Sequence, residues 1–317
     1  MTIVPGHGWP AAEASAPAGP TGRRAVDPRS WEIGEAFHQA MLLEVCAGPK
    51  PGLVYPGSNG AHTDMGLLTF MVGAAALSPA LVLCAQSGGQ HAAALPSLLP
   101  ELRRIGVRYE RRLLAATRQV NTQRGILFSA GLLCGAAGFL SRTCPRIESD
   151  HLLDAVAAMS HGLVERELAG ADLAAKPRLT AGEQLYLRYG ATGIRGEMEK
   201  GLPAVRETGL PALRQALDRG CSANMAMVHC LMALMTRVED TTILWRKGPE
   251  TLRAVQDDAR RILDMGSVFS PQGLSNVFSL DSEYKSQNIS PGGCADLLAV
   301  SIGVYLLVHG SLPCEFI

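Results

Sequence analysis

The residues best equipped for chemistry fall in five polar stretches: 49–64, 121–125, 193–206, 240–248 and 288–296. The first carries Lys50, Asn59, His62 and Asp64 among prolines and glycines that restrict or free the backbone. It reads either as a nucleotide site or as a surface connection with ordinary turn chemistry. In the last stretch Ser290 can cap a helix and Pro291 suits the first helical position, while Gly292 and Gly293 leave amides open to phosphate. Asp296, one turn on, can hold Mg²⁺ or simply meet the helix dipole favourably. Gly193 to Gly201 gathers Arg195, Glu197 and Glu199, with Arg206 beyond. Arg195 and Glu199 can form an i,i+4 salt bridge, or all four can serve a metal–triphosphate site. Glu239 and Asp240 end a Met-rich helix, where carboxylates oppose the dipole and call for compensation; a metal is one candidate. Arg246 and Lys247 follow, as phosphate ligands or as a solvated basic turn.

Helical periodicity must position these stretches. Ile33, Phe37, Ala40, Met41 and Val45 recur at helical spacing after Ser30, a candidate N-cap, and Glu44 lies near that helix's end. Leu67 to Cys84 reads as a buried helix kinked or broken near Ser78-Pro79, with Ser87-Gly88-Gly89 as a loop. Leu98 to Thr117 is amphipathic with an arginine-rich solvated face. Asn121 to Gly125 leads into the apolar run Ile126 to Leu140, whose Gly131, Gly135 and Gly138 suit close helix packing. Residues 150–168 form a helix and 169–179 a loop. Thr180 and Glu183 have capping-box spacing, and Gly190 to Gly209 is again polar and glycine-punctuated. Ser222 can cap the helix Asn224 to Arg237, in which His229 reads as a satisfied core histidine. Pro249 opens a helix to about Met265, and 291–309 form the last. Period-two alternation is nowhere sustained, so about ten helices make an all-α, single compact domain with polar loops at the helix junctions.

Of the 317 residues 47% are hydrophobic and 18% charged, enough for a substantial core. Lys+Arg and Asp+Glu both number 29, which argues against the broad basic surface that nucleic acid or an anionic membrane wants. The eight cysteines show neither C-x-x-C nor zinc-finger spacing and read as buried thiols in a reducing cytosol. Residues 1–29, rich in Pro, Ala and Gly, read as a disordered extension without a secretory signal, ahead of a domain over 30–317. The most apolar segment, Leu297 to Val308, is shorter than the roughly 20 residues of a membrane span, so a cytoplasmic protein with no membrane partner is expected.

In chain order, Pro49 to Val54, Gly60 to Met65, Asn121-Thr122, Phe128 to Gly138, Arg195-Gly196-Glu197, Asp240-Thr241 and Asn288 to Leu298 resemble the triphosphoribosyl-dephospho-CoA synthase family. Tyr55-Pro56 and the segment Arg103 to Thr117 look more like its malonate decarboxylase branch than its citrate lyase branch. The resemblance implies an all-α enzyme that joins the triphosphoribosyl group of ATP to the 2′-hydroxyl of 3′-dephospho-CoA and releases adenine. It implies Mg²⁺ as cofactor, and a product passed to a holo-acyl-carrier-protein synthase. Such a displacement runs through an oxocarbenium-like state and needs a base, a proton donor and charge on the triphosphate.

Carried onto this chain, the resemblance implies phosphate contacts at Lys50, Arg124, Arg195, Arg206 and Arg246. Substrate contacts fall to Asn59, Asn121, Asn288, Ser290, Gly292 and Gly293. His62 is the acid/base; Asp64, Glu197, Asp240 and Asp296 are base or metal candidates, with Glu199 a further metal ligand. Three positions depart from the family pattern: Gln123 and Trp245 stand where histidine is usual, and Thr242 where asparagine is. Neither Gln nor Trp can replace His in proton transfer or metal ligation. Two other readings therefore stand beside the first: a diverged enzyme displacing adenine with another nucleophile, and a non-catalytic nucleotide-binding helical protein.

Overall fold

The computed structural model describes residues 25–170 and 179–313. Residues 1–24 of the expected extension, most of the 169–179 loop and Cys314 lie outside the described residues. The described residues form thirteen α-helices and no strand beyond an isolated bridge between Tyr55 and Ser58. The all-α expectation holds.

The first helix, α1 (Pro28–Cys46), starts earlier than its periodicity suggests. Asp27 is the cap, accepting from the Ser30 amide at 2.9 Å and the Ser30 hydroxyl at 2.7 Å, so Ser30 lies inside the first turn. The second, α2 (Leu67–Gln90), runs unbroken through Pro79 and through Ser87-Gly88-Gly89, correcting the expected break and loop. Its glycines serve a helix contact instead. A Cβ on Gly88 would stand 1.9 Å from the Gly135 carbonyl oxygen, and one on Gly138 2.0 Å from that of Ala85. Small residues thus bring α2 against α4 (Arg124–Leu140) backbone to backbone. Between them in sequence, α3 (Leu99–Ala116) lies on both.

The chain continues through α5 (Ser149–Ser160), α6 (Ala181–Tyr189), α7 (Gly193–Glu199), α8 (Leu210–Asp218), α9 (Ala223–Met235), α10 (Thr241–Lys247), α11 (Pro249–Asp264), α12 (Pro271–Gln287) and α13 (Gly292–His309). The capping box holds at α6: Glu183 Oε2 accepts from the Thr180 amide at 2.7 Å. Ser222 caps α9, and His229 within it is satisfied, with Nδ1 2.9 Å from Ser267 Oγ and Nε2 3.1 Å from Gln215 Oε1. The expected polar loops over 193–206 and 240–248 contain α7 and α10, and α12 is a further helix, capped by Ser270 ahead of Pro271, that the periodicity did not mark.

One continuous core joins α1, α2, α4, α9 and α13. Both α2 and α13 are long and apolar enough to cross a membrane, so segment length does not draw the distinction asked of it above. In α13, 61% of that apolar window is buried within the bundle, against α1 and α9.

Candidate active site

The loop over 49–64 is fixed by polar contacts distant in sequence, at its start through Gly48, Gly52 and Tyr55 and near its end through His62. Asn224, at the start of α9, accepts from the Gly48 amide at 2.8 Å and donates to the Gly48 carbonyl at 2.6 Å. Asp281 of α12 accepts from the Gly52 amide at 3.1 Å and the Tyr55 hydroxyl at 2.6 Å. The loop is thereby held over the start of α13, where His62 Nε2 lies 2.9 Å from Ser290 Oγ.

Two polar cavities adjoin here, and the loop walls only the first. The first, of about 170 Å³, is lined by His62, Asn121, Arg124, Arg246, Ser290, Gly292 and Asp296. The second, of about 410 Å³, is lined by Asn121, Glu197, Gly293 and Asp296, with Lys200 and Arg237 as its cations. Asn121, Gly125, Thr242 and Asp296 belong to both walls. At Gly125 the approach is so close that a Cβ would stand 1.8 Å from Asp296 Oδ2. A third, mostly apolar cleft of about 430 Å³ meets the first at Arg124 and Gly125. Four of the five polar stretches therefore contribute to the first cavity, and the remaining one, 193–206, to the second.

Several expected site residues lie elsewhere. Lys50 is fully buried, and its ammonium is bonded to the carboxylate and the backbone carbonyl of Glu44. It lines neither polar cavity, while Glu44 lines the first. Arg195 donates to Glu167 at 2.8 Å on the wall of the apolar cleft. Arg206 pairs with Asp154 at 2.5 Å and approaches Asp150 at 3.8 Å. Glu199 accepts from the amides of Gly162 (2.7 Å) and Val164 (2.9 Å), which uses both its oxygens. Asn288 is an exposed left-handed cap ending α12, and Asn59 is exposed beside Gly66 at the start of α2. Asp64 is exposed, with Oδ1 3.8 Å from His62 Nδ1. Of the departures, Gln123 and Thr242 face the first cavity, whereas Trp245 is exposed outside it.

Glu239 and Asp240 find their compensation in other helices rather than in the end of α9. Glu239 Oε1 accepts from the amides of Thr192 (2.9 Å) and Gly193 (3.3 Å), at the start of α7. Asp240 Oδ1 accepts from Thr242 (2.9 Å) and Ile243 (3.2 Å), and its Oδ2 from Cys294 at 2.9 Å. One buried carboxylate thus ties the N-termini of α10 and α13 together. Both oxygens of Asp240, expected to serve a metal, accept from helix-start amides here.

Three titratable groups facing the cavities, Asp296, Glu197 and His62, are shifted. Burial, with Glu44 and Asp240 adding repulsion, pushes the Asp296 carboxyl well above the usual carboxylate range. The Ile126 amide of α4 opposes that shift by donating to it. Burial also raises Glu197, although its Oε2 accepts from the Ala204 amide at 3.0 Å. Burial and then Arg246 lower His62, with Asp64 acting the other way.

Sequence reasoning passed over Glu44 as a site residue. The signal was present: Phe37, Met41 and Glu44 fall on one face of α1, so a carboxylate sits on the buried stripe. Lys200 and Arg237 carried no such signal, since they lie far apart in sequence and meet only as walls of the second cavity.

Two cavities, each with its own cations, meet at Asp296 within an all-α fold. Residues 30–313 match the family model of ATP:dephospho-CoA triphosphoribosyl transferase, and the chain belongs to that family. It is 48% identical over 291 residues to the probable 2-(5″-triphosphoribosyl)-3′-dephosphocoenzyme-A synthase of Malonomonas rubra, covering 92% of each chain. It is 40% identical over 279 residues to the 2-(5″-triphosphoribosyl)-3′-dephosphocoenzyme-A synthase of Pectobacterium atrosepticum, covering 88% of this chain and 89% of that one. The enzyme of the same name from Klebsiella pneumoniae is 39% identical over 280 residues, covering 88% and 92%. No solved structure matches this chain.

Proposed function

We propose that the enzyme transfers the triphosphoribosyl group of ATP to the 2′-hydroxyl of 3′-dephospho-CoA and releases adenine. One observation carries this reading: Asp296 and Asn121 are walls of both cation-bearing cavities, so two phosphorylated substrates can lie side by side with a single seam between them. Proximity of that kind converts a bimolecular displacement into a near-unimolecular one. The bond from the ribose C1′ to the adenine nitrogen breaks, and a bond from C1′ to the acceptor's 2′-oxygen forms. The hydroxyl proton goes to the protein and the departing ring gains one.

On the second cavity, burial makes Glu197 a stronger base than an ordinary carboxylate, suited to the hydroxyl proton. In the first, His62 stands between Ser290 and Asp64, suited to protonating the departing adenine. A bound triphosphate would favour its charged, donating form, against the present effect of Arg246. Arg124 and Arg246 face the triphosphate in this arrangement, and Lys200 and Arg237 the acceptor's diphosphate.

The residues also fit Mg²⁺. Among the described residues no three His, Cys, Asp or Glu side chains converge into a metal cage. Mg²⁺ characteristically takes one or two carboxylates and completes its shell with water and substrate phosphate. Glu44 and Asp296 are the carboxylates that would hold it; burial and then repulsion from Glu44 raise Asp296, and a cation there would oppose both. Bound there, Mg²⁺ would neutralise triphosphate charge.

The pathway reading is the malonate decarboxylase branch, supported by Tyr55-Pro56 and the segment Arg103 to Thr117, in the cytoplasm and with the product passed to a holo-acyl-carrier-protein synthase. The test is to incubate the enzyme with ATP, Mg²⁺ and dephospho-CoA and to separate free adenine by chromatography. Adenine that depends on dephospho-CoA is the expected result. Adenine only with a different acceptor would replace this reading with the diverged enzyme, a reading that Gln123 and Thr242 facing the cavity would then explain. Nucleotide binding with no adenine under any condition would leave a binding protein.

A further inference from the structure

We infer that Gln123, with Thr122 beside it, selects the purine of the bound nucleotide by its six-position amino group; the inference rests on the reading of the first cavity as the ATP site. Gln123 is only 4% exposed, lines that cavity, and its Oε1 has no hydrogen-bond partner. The neighbouring Thr122 Oγ1, on the same wall, is also buried without a partner. Buried polar atoms are normally paired, and a core shaped for stability alone would not keep two orphans side by side. The backbone makes room for them. On α2, Gly73 has no side chain, and a Cβ there would stand 2.6 Å from Gln123 Oε1 and 3.0 Å from Thr122 Oγ1.

The chemistry of the missing partner follows from the atoms left unpaired. A carboxamide oxygen accepts only, so the ligand must bring a donor. Phosphate oxygens bring none, and they would be drawn to Arg124 and Arg246 instead. The amino group of adenine is such a donor, and the adjacent ring nitrogen accepts from the other end of a carboxamide. The surroundings suit a flat ring. Val54, Met65 and Phe70 line the same cavity as a small apolar cluster separate from the main core. Phe70 lies one turn before Gly73 on α2, which puts this apolar surface next to the two orphan atoms. Thus Gln123, where the family pattern has histidine, acts in base selection here rather than in proton transfer.

Binding without turnover tests this. Calorimetry with ATP and with purine riboside triphosphate, whose ring carries hydrogen in place of the amino group, is run with Mg²⁺ and no acceptor. The wild-type protein should prefer ATP by on the order of 10-fold or more. Gln123→Met keeps the length and removes the amide; it should lose ATP affinity, leave purine riboside triphosphate nearly unchanged and bring the ratio close to unity. Gly73→Ala should narrow the ratio in the same direction by displacing the carboxamide while keeping it. The thermal midpoint of Gln123→Met should hold or rise, since an unsatisfied buried group is gone. A wild-type ratio near unity, a ratio that survives Gln123→Met, or equal losses for both nucleotides would overturn the inference. Adenine release with dephospho-CoA is measured separately, so a failure of the transfer reading shows there and not in the binding ratio.

Discussion

Lys50 separates two accounts of the 49–64 loop. The family resemblance implies a cation presented to phosphate, but the Lys50 ammonium is buried against Glu44 and lines neither polar cavity. Replacing Lys50 with Met removes the charge and keeps most of the volume. Glu44 is then left buried without its partner, a change that costs about 3–5 kcal/mol in such pairs. For a protein whose whole stability is on the order of 5–15 kcal/mol, that is a large share. At a few degrees per kcal/mol the thermal midpoint should fall by on the order of 10 °C. Adding Glu44→Gln removes the stranded charge and should restore most of the loss, a coupling that a double-mutant cycle reads directly. Urea unfolding followed by circular dichroism supplies the free energies, and calorimetry supplies the ATP affinity. The reasoning is refuted if Lys50→Met leaves the urea midpoint unchanged while ATP affinity falls tenfold or more (about 1.4 kcal/mol). That pattern would make Lys50 a phosphate ligand.

Two further outcomes are expected. Gly125→Ala would place a methyl group 1.8 Å from Asp296 Oδ2, so the carboxyl must move; adenine release should fall about 100-fold, with a stability loss of about 1–3 kcal/mol, and near-normal turnover would detach Asp296 from the chemistry. His229, remote from the cavities, is lowered from 6.5 to about 4 by burial and then by Arg219, so the folded state binds fewer protons than the unfolded one between those values. Its contribution is complete above pH 6.5 and drains away as pH falls toward 4, amounting to about 2 kcal/mol between pH 7 and pH 5. Urea midpoints for the wild type and His229→Gln across that window should show the slope shrinking in the variant; identical slopes would contradict the assignment.

What could be read from the sequence divides by distance along the chain. The Thr180–Glu183 box and the Ser222 cap are local and were legible. His229 was legible as core because the residues around it are apolar on nearly every face. Gly88 was not, since a glycine that opens a loop and one that admits another helix look alike until α4 is in place. Helix α12 was hidden because its buried face is sparse and includes Gly273 and Asp281. At the candidate site, the five polar stretches line two adjoining cavities, yet Lys50, Arg206, Glu199 and Asp240 are each engaged by groups that spacing does not reveal. Lys50 meets Glu44, Arg206 meets Asp154, and the carboxylates of Glu199 and Asp240 meet helix-end amides. A charge in a polar loop announces that it needs a partner, not which partner it has.

The central claim is that the two nucleotides lie in separate cavities that meet at Asp296. The direct measurement is a crystal structure of Asp296→Asn with ATP, Mg²⁺ and dephospho-CoA bound together, the substitution being made to hold the substrates unreacted. One nucleotide should occupy the cavity of His62 and Arg246 and the other that of Glu197 and Lys200, with the ribose C1′ and the acceptor's 2′-oxygen facing each other beside residue 296. Both nucleotides in one cavity, or an acceptor hydroxyl seated away from residue 296, would contradict it.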